Sequence, residues 1–212
     1  MQASIFITGA SGSGKSTLCE GLMDHGFVPS PNHLTRKPRP GEVDGVHGVF
    51  IDEDEFRTNF KNGLYLEPDL ATARYSGVLY GSPRLWIEQI ESSENGPIIA
   101  TPANVLVIHA LRERLTERGR QSQLRWINLH APIEVRRARI QQRVTDPADL
   151  HVRLNQGVSM GIQPHADINI DTSLHDQGLT REVATGLVLS ELVLSVTDTP
   201  DHNNKETNNA EF

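Results

Sequence analysis

Ile5-Phe6-Ile7-Thr8-Gly9-Ala10-Ser11-Gly12-Ser13-Gly14-Lys15-Ser16-Thr17 decides how the rest of the chain is read. A short apolar run ends in a glycine-rich turn. Behind the turn, Leu18, Leu22 and Met23 recur at helical spacing. Gly9, Gly14, Lys15 and Ser16 meet the spacing G-x-x-x-x-G-K-[ST]. Glycines at positions 9, 12 and 14 let the backbone curl so that successive N–H groups face an anion. The following helix adds its unpaired amides and the positive end of its dipole. Gly9, Ala10, Ser11, Gly12, Ser13, Gly14, Lys15, Ser16 and Thr17 are therefore the expected cradle for the phosphates of ATP. Lys15 is expected to reach the β- and γ-phosphates, with the Ser16 hydroxyl on Mg²⁺. The plainer alternative is a turn that only joins a strand to a helix. The buried strand in front and the amphipathic helix behind favour the cradle.

Working outward, 212 residues suit one domain with a mobile part and allow a large core. With 37% apolar and 22% charged residues, the chain reads as a soluble globular protein. A formal net charge of −7 argues against a nucleic-acid sheath or a membrane-surface protein. Positive charge is local instead, around Arg36–Arg39 and Arg136–Arg143, which suits a small anionic ligand. The single cysteine, Cys19, excludes an intramolecular disulfide and is expected to be packed in the first helix. No apolar stretch approaches the length of a membrane span, and the first strand begins too early to leave room for a signal peptide, so a cytoplasmic setting is expected. The nine histidines show no metal-binding spacing, so no structural zinc site is expected.

Apolar runs at Ser4–Thr8, Pro97–Thr101, Leu124–Leu129 and Ile168–Ile170 read as buried strands. Helices are expected over Lys15–His25 (closed by Gly26), from Asp52 as cap to Asn62, from Pro83 to Ser92, over Asn104–Arg118, Pro132–Arg143 and Asp146–Gly161, and from Thr180 as cap to Val196. Pro29–Gly48 reads as loop, Val49–Ile51 and Leu64–Leu66 as short strands, and Ala71–Tyr75 with Val78–Tyr80 as a hairpin. The tail 197–212 is polar and expected to be disordered. Alternating strands and helices predict an α/β fold: an open parallel sheet with helices on both faces, in the three-layer P-loop NTPase manner.

Thr35-Arg36-Lys37-Pro38-Arg39-Pro40-Gly41-Glu42-Val43-Asp44-Gly45 resembles the T-R-x-P-R-x-G-E-x-x-G loop of the guanylate kinase family. Val78-Leu79-Tyr80-Gly81-Ser82 resembles its N-Y-Y-G-S/T segment, and Leu66-Glu67 its F-x-E-W stretch. The arginine-bearing segment from Arg136 to Arg153 is similar to its lid. The resemblance runs over roughly residues 4–195 and implies a domain spanning 1–196. Its core would be 1–29 and 83–196, with a small β-rich nucleoside-monophosphate-binding insertion at 30–82 and a helical lid at 136–153. It implies that Arg36, Arg39 and Tyr80 grip the acceptor phosphate. Glu67, Ser82 and Asn32 would face the acceptor base, the carboxylate of Glu67 accepting from guanine N1–H and its 2-amino group. Lys15, Arg39, Arg139, Arg143 and Arg153 would act on the transferred phosphoryl group. Arg136 and Arg137 have a plainer reading as solvated helix charges.

The implied reaction is ATP-dependent phosphorylation of GMP or dGMP with Mg²⁺, by a monomer or homodimer. Two departures from the family pattern bear on the acceptor. A family tyrosine that touches its phosphate is replaced by Gly48, and the strand pattern L-D-x-D is replaced by Ile99-Ala100-Thr101-Pro102. They keep open a P-loop kinase acting on a modified nucleotide, a base in DNA or a sugar phosphate. A guanylate-kinase-like protein-binding module without catalysis is the reading from another class, and the intact Gly9–Ser16 motif speaks against it.

Overall fold

The computed structural model describes residues 3–66, 72–75, 77–92, 97–101, 104–144, 150, 151, 153, 154, 161–174 and 177–197. Strand β1 (Ser4–Gly9) is buried over its whole length. A strand covered on both faces needs apolar side chains on both, which the run Ile5-Phe6-Ile7 supplies. It is the middle of a five-stranded sheet with β2 (Val28–Pro29), β7 (Ile98–Ala100), β8 (Leu124–His130) and β9 (Ile168–Asp171), ordered β2-β7-β1-β8-β9. Every pairing in it is parallel.

Alternation sends the side chains of these strands to two separate layers. Phe6, Ile98, Leu124 and Trp126 pack against Trp86 and Ile90 of α3 (Leu85–Ser92) and Val107, Ile108 and Leu111 of α4 (Val105–Glu117). Ile5, Ile7, Ile99, Ile127 and Leu129 pack against Leu18 and Leu22 of α1 (Lys15–Met23) and Ala184 and Val188 of α6 (Gln177–Thr197). This is the expected three-layer α/β architecture. A smaller cluster joins Ile140 of α5 (Ile133–Gln141) to Val144 and Leu154.

A polar ladder crosses the sheet just before the glycine-rich turn. Thr8, Asn128 and Asn169 are register partners on β1, β8 and β9. Trp126 Nε1 donates to Thr8 Oγ1 at 2.8 Å, and Thr8 Oγ1 donates to Asn128 Oδ1 at 3.0 Å. Asn128 Nδ2 donates to Asn169 Oδ1 at 2.8 Å and to the Gly161 carbonyl at 2.9 Å. Asn169 closes the ladder by exchanging hydrogen bonds with the Gln163 backbone.

The second sheet is β4-β3-β6-β5, from Val49–Phe50, His33–Leu34, Val78–Gly81 and Thr72–Tyr75. Its β3 lies inside the segment read as loop from sequence. The two residues of β3 are ordered by distant partners, Gly81 and Tyr80 on one side and Val49 and Phe50 on the other. Helix α2 (Glu53–Lys61) starts as expected, with Asp52 Oδ1 accepting from the Glu55 backbone N–H at 2.8 Å. The expected strand Leu64–Leu66 is reduced to a single bridge between Tyr65 and Pro83. Leu64 stays 44% exposed while the consecutive Tyr65 and Leu66 are both buried, so the stretch does not alternate as a strand would. Helix α6 begins at Gln177, three residues before the expected cap, so Thr180 lies within it. Of the expected helix 146–161, residues 150, 151, 153 and 154 are helical, and its other positions up to 160 lie outside the described residues. So does the tail from 198 onward.

Candidate functional site

The turn after β1 is built by its glycines. Gly9, Gly12 and Gly14 have φ of 145°, 80° and 96°, a region in which L side chains are strained. Two of them are also crowded. A Cβ on Gly9 would stand 2.4 Å from the Leu129 carbonyl oxygen, and one on Gly12 would stand 2.9 Å from the Arg136 carbonyl oxygen. Lys15 folds back over the turn, its Nζ donating to the Gly9 and Ala10 carbonyls at 2.8 and 3.0 Å. Burial, opposed by Cys19 and aided by Arg136, lowers the Lys15 pKa to about 8. An anion held beside it would restore the charge. Ser16 is exposed on the first turn of α1 and Ser13 is buried. Cys19 stands one turn further on; burial pushes its thiol up to about 12, which makes it an inert packed thiol as expected.

Three side chains from beyond the turn fix its outer carbonyls. Arg136 donates to Ser11 O at 3.4 Å. Arg139 donates to Gly12 O at 3.3 Å and is itself anchored on Thr172, through Oγ1 at 2.9 Å and the carbonyl at 2.5 Å. Thr172 Oγ1 donates to Ser13 O at 3.0 Å. Arg136 is buried, against the reading of it as a solvated helix charge, because the bare Gly12 lets the turn lie directly on α5. Arg137 is exposed, as that reading has it, and so is Arg143, which acts on Arg139 as a like charge.

The second group lies along β3, β6 and the arginine loop. Glu42 grips Arg36 with both oxygens, at 2.6 and 2.8 Å, and accepts the Arg39 backbone N–H at 2.8 Å. Arg36 also lies over the Phe50 ring, 5.1 Å from its centroid. Burial works against the Arg36 charge, but Glu42 and then Tyr80, which hydrogen-bonds it, outweigh burial and raise its pKa. Its buried Nε–H has no hydrogen-bond partner among the described residues. Arg39 is shifted the other way, first by burial and then by the like charges of Arg36 and Arg153. Arg36, Arg39 and the Tyr80 hydroxyl thus gather around one carboxylate, Glu42, with Arg153 near enough to act on Arg39 as a like charge. Such a cluster is set up to take a further anion.

Asn32 and Ser82 are both buried, and Ser82 Oγ donates to Asn32 Oδ1 at 3.0 Å. Glu67 lies outside the described residues. At Gly48 a Cβ would meet Leu34 Cδ1 at 2.6 Å and the Phe50 ring at 3.0 Å, so the place a side chain would leave by is filled. Ala100, where the family pattern has a carboxylate, is fully buried among apolar groups. No cluster of three or more metal-ligating side chains occurs among the described residues. The described residues would fit a Mg²⁺ ion that keeps most of its water and arrives on phosphate oxygens, and the exposed Ser16 side chain is one that could hold it.

Sequence reasoning assigned no part to Glu42, Phe50, Arg136 or Thr172. Glu42 could have been found, since it is the fixed acid of the quoted arginine loop. Thr172 carries no signal; a threonine just past a strand is commonplace.

The model of the family described as guanylate kinase matches residues 1–106. Among curated proteins, the guanylate kinase of Rubrobacter xylanophilus is 36% identical over 150 residues, covering 68% of this chain and 71% of that one. That of Symbiobacterium thermophilum is 33% identical over 138 residues, covering 56% and 64%. That of Desulfitobacterium hafniense is 37% identical over 99 residues, covering 45% of this chain, so the match spans under half of that relative, 46%. A solved structure of guanylate kinase from Anaplasma phagocytophilum superposes with a TM-score of 0.55 at 20% identity, covering 90% of this chain and 87% of that one, a likeness of fold. No helix among the described residues is long and apolar enough to cross a membrane.

Proposed function

The chain belongs to the guanylate kinase family of nucleoside monophosphate kinases, and on that footing we propose that it transfers the γ-phosphoryl group of ATP to GMP or dGMP. One observation carries the reading. The chain carries two groupings of different build that could each hold an anion, the glycine-turned backbone of Gly9–Thr17 and the guanidinium and hydroxyl groups of Arg36, Arg39 and Tyr80. Two phosphate sites are what a donor and an acceptor nucleotide require.

Phosphoryl transfer asks little covalent chemistry of a protein; positioning and charge neutralisation supply most of the rate. The acceptor phosphate is already an anion, so no general base is needed. Glu42 holds Arg36 and Arg39 in a fixed geometry for it. Lys15 would move from the Gly9 and Ala10 carbonyls to the β- and γ-phosphates of ATP. Ser16 would hold Mg²⁺, which supplies charge neutralisation at the phosphate oxygens. Arg139, Arg143 and Arg153 would meet the charge on the transferred group. Asn32 and Ser82, locked together, would face the acceptor base with Glu67. A cytoplasmic setting, beside the nucleotide pool, goes with this reading.

The crowded Gly48 and the apolar surroundings of Ala100 favour a second reading, the same transfer to another phosphate-bearing acceptor such as a sugar phosphate. ADP release from Mg-ATP separates the two when it is followed with GMP, dGMP, AMP and ribose phosphates, beside Lys15→Ala and Arg39→Ala. Turnover confined to guanine monophosphates, lost in Lys15→Ala and shifted to high acceptor KM in Arg39→Ala, supports the first reading. Turnover with a ribose phosphate alone would replace it with the second. ATP binding without turnover on any acceptor would remove both.

A further inference from the structure

Arg136 is 5% exposed, while Arg137 beside it on α5 is open to solvent. Two long hydrogen bonds, Nε to Ala131 O at 3.3 Å and Nη1 to Ser11 O at 3.4 Å, are the only ones its side chain makes among the described residues. No carboxylate among them forms an ion pair with it. Burial lowers its pKa, and Glu134 opposes that only from a distance. A buried cation with so little to answer it is a burden on the fold, and an apolar side chain of similar volume would pack there at least as well. The reason for it lies elsewhere, and the peptide geometry supplies one. A trans peptide is planar, with its C=O and the next N–H on opposite sides. A donor that fixes Ser11 O on the α5 side therefore turns the Gly12 N–H to the inner side of the turn. Arg139 and Thr172 do the same to the next two carbonyls. Gly12, whose Cβ would strike the Arg136 backbone, is what allows the contact.

We propose that Arg136 is a positioning residue for the donor phosphates. From the first turn of α5 it holds the Ser11 carbonyl outward, and the anion in the cradle is the counter-charge that the fold does not give it. The inference rests on the reading of Gly9–Thr17 as the donor site. Leu would sit in its place without loss to the empty protein and with loss to the filled one.

The test is Mg-ATP binding by calorimetry and thermal unfolding without nucleotide, on the full chain and on Arg136→Leu, Arg136→Lys and Arg137→Leu. Arg136→Leu is expected to weaken Mg-ATP about tenfold or more, as for the loss of a charged hydrogen-bond donor. Its melting temperature without nucleotide should equal or exceed that of the parent. Arg136→Lys, which keeps the charge and one donor, should fall between. Arg137→Leu removes the same charge from the same helix and should bind within about twofold of the parent. Three results would overturn the inference: Arg136→Leu binding like the parent, Arg136→Leu losing stability together with affinity, or Arg137→Leu losing as much affinity. Failure of the parent itself to bind Mg-ATP would instead overturn the donor-site reading, and the inference with it.

Discussion

Replacing Asn128 tests how the sheet delivers the phosphate cradle. Asn128 is fully buried on β8, and its amide makes three hydrogen bonds: it accepts from Thr8, and it donates to Asn169 and to the Gly161 carbonyl. Leucine has similar volume and makes none of them. Three net hydrogen bonds at about 1 kcal/mol each give about 3 kcal/mol, and leaving the buried Thr8 hydroxyl without its acceptor adds about 1 kcal/mol more, while the Gly161 carbonyl, on an exposed residue, can turn to water. Alanine adds a cavity and should cost about 2–5 kcal/mol beyond leucine. For a chain of this size, a loss of about 4 kcal/mol lowers Tm by about 8–16 °C. Urea unfolding followed by tryptophan emission is the assay, because Trp126 is one of two tryptophans and its Nε1 donates into the ladder. The change in emission at zero urea then reports the ladder, and the shift in midpoint at constant m reports stability. A double-mutant cycle with Thr8→Val should show coupling of about 1 kcal/mol, since the two share a hydrogen bond. Loss of less than about 1 kcal/mol in Asn128→Leu would show that the ladder is replaceable packing and refute the argument.

Lys15 sets a pH dependence. Its folded pKa, about 8, lies below the ordinary 10.5, because burial disfavours the charged form. Between these values the unfolded chain binds more protons than the folded one, so the stability of the parent relative to Lys15→Met should climb from about pH 8 to 10.5 and be flat below 8; a pH-independent difference would contradict the burial. Glu42→Gln keeps the shape but breaks the bidentate grip on Arg36. Acceptor KM is expected to rise about tenfold with Mg-ATP affinity unchanged, and equal effects on both substrates would sink the separation of the two cradles. Gly48→Tyr, which restores the family's residue, should destabilise the chain by about 1–3 kcal/mol in denaturant unfolding, because Leu34 and Phe50 already occupy the space. Tighter acceptor binding in that variant would mean that Phe50 moves aside readily.

What could be read from sequence here depended on whether the forces were local. The turn at Gly9–Lys15 was legible because positive φ demands glycine, and the core strands because a strand buried on both faces must be apolar throughout. The α2 start was legible because Asp52 and Glu55 carry the cap within one turn. His33–Leu34 was not, since its order comes from partners at positions 49–50 and 80–81 and leaves no periodic trace in a proline-rich run. Arg136 shows the same limit at the site. On a helical wheel it is one basic residue among several on α5, and nothing in residues 130–143 marks it as buried. Its burial is decided by Gly12, more than a hundred residues earlier, whose missing side chain lets the cradle rest on the helix. The glycine motif therefore does two things: it curls the backbone around an anion, and it opens a seat for whatever residue α5 presents at 136. The second cannot be read from the motif, because it is a property of the pair. Gly12→Ala should therefore disturb Arg136 as well as the turn. A cycle of Gly12→Ala with Arg136→Leu, read by Mg-ATP affinity, is expected to be strongly non-additive, the second substitution costing little once the first is made. Additive losses would mean that the loop and the arginine serve the phosphates independently.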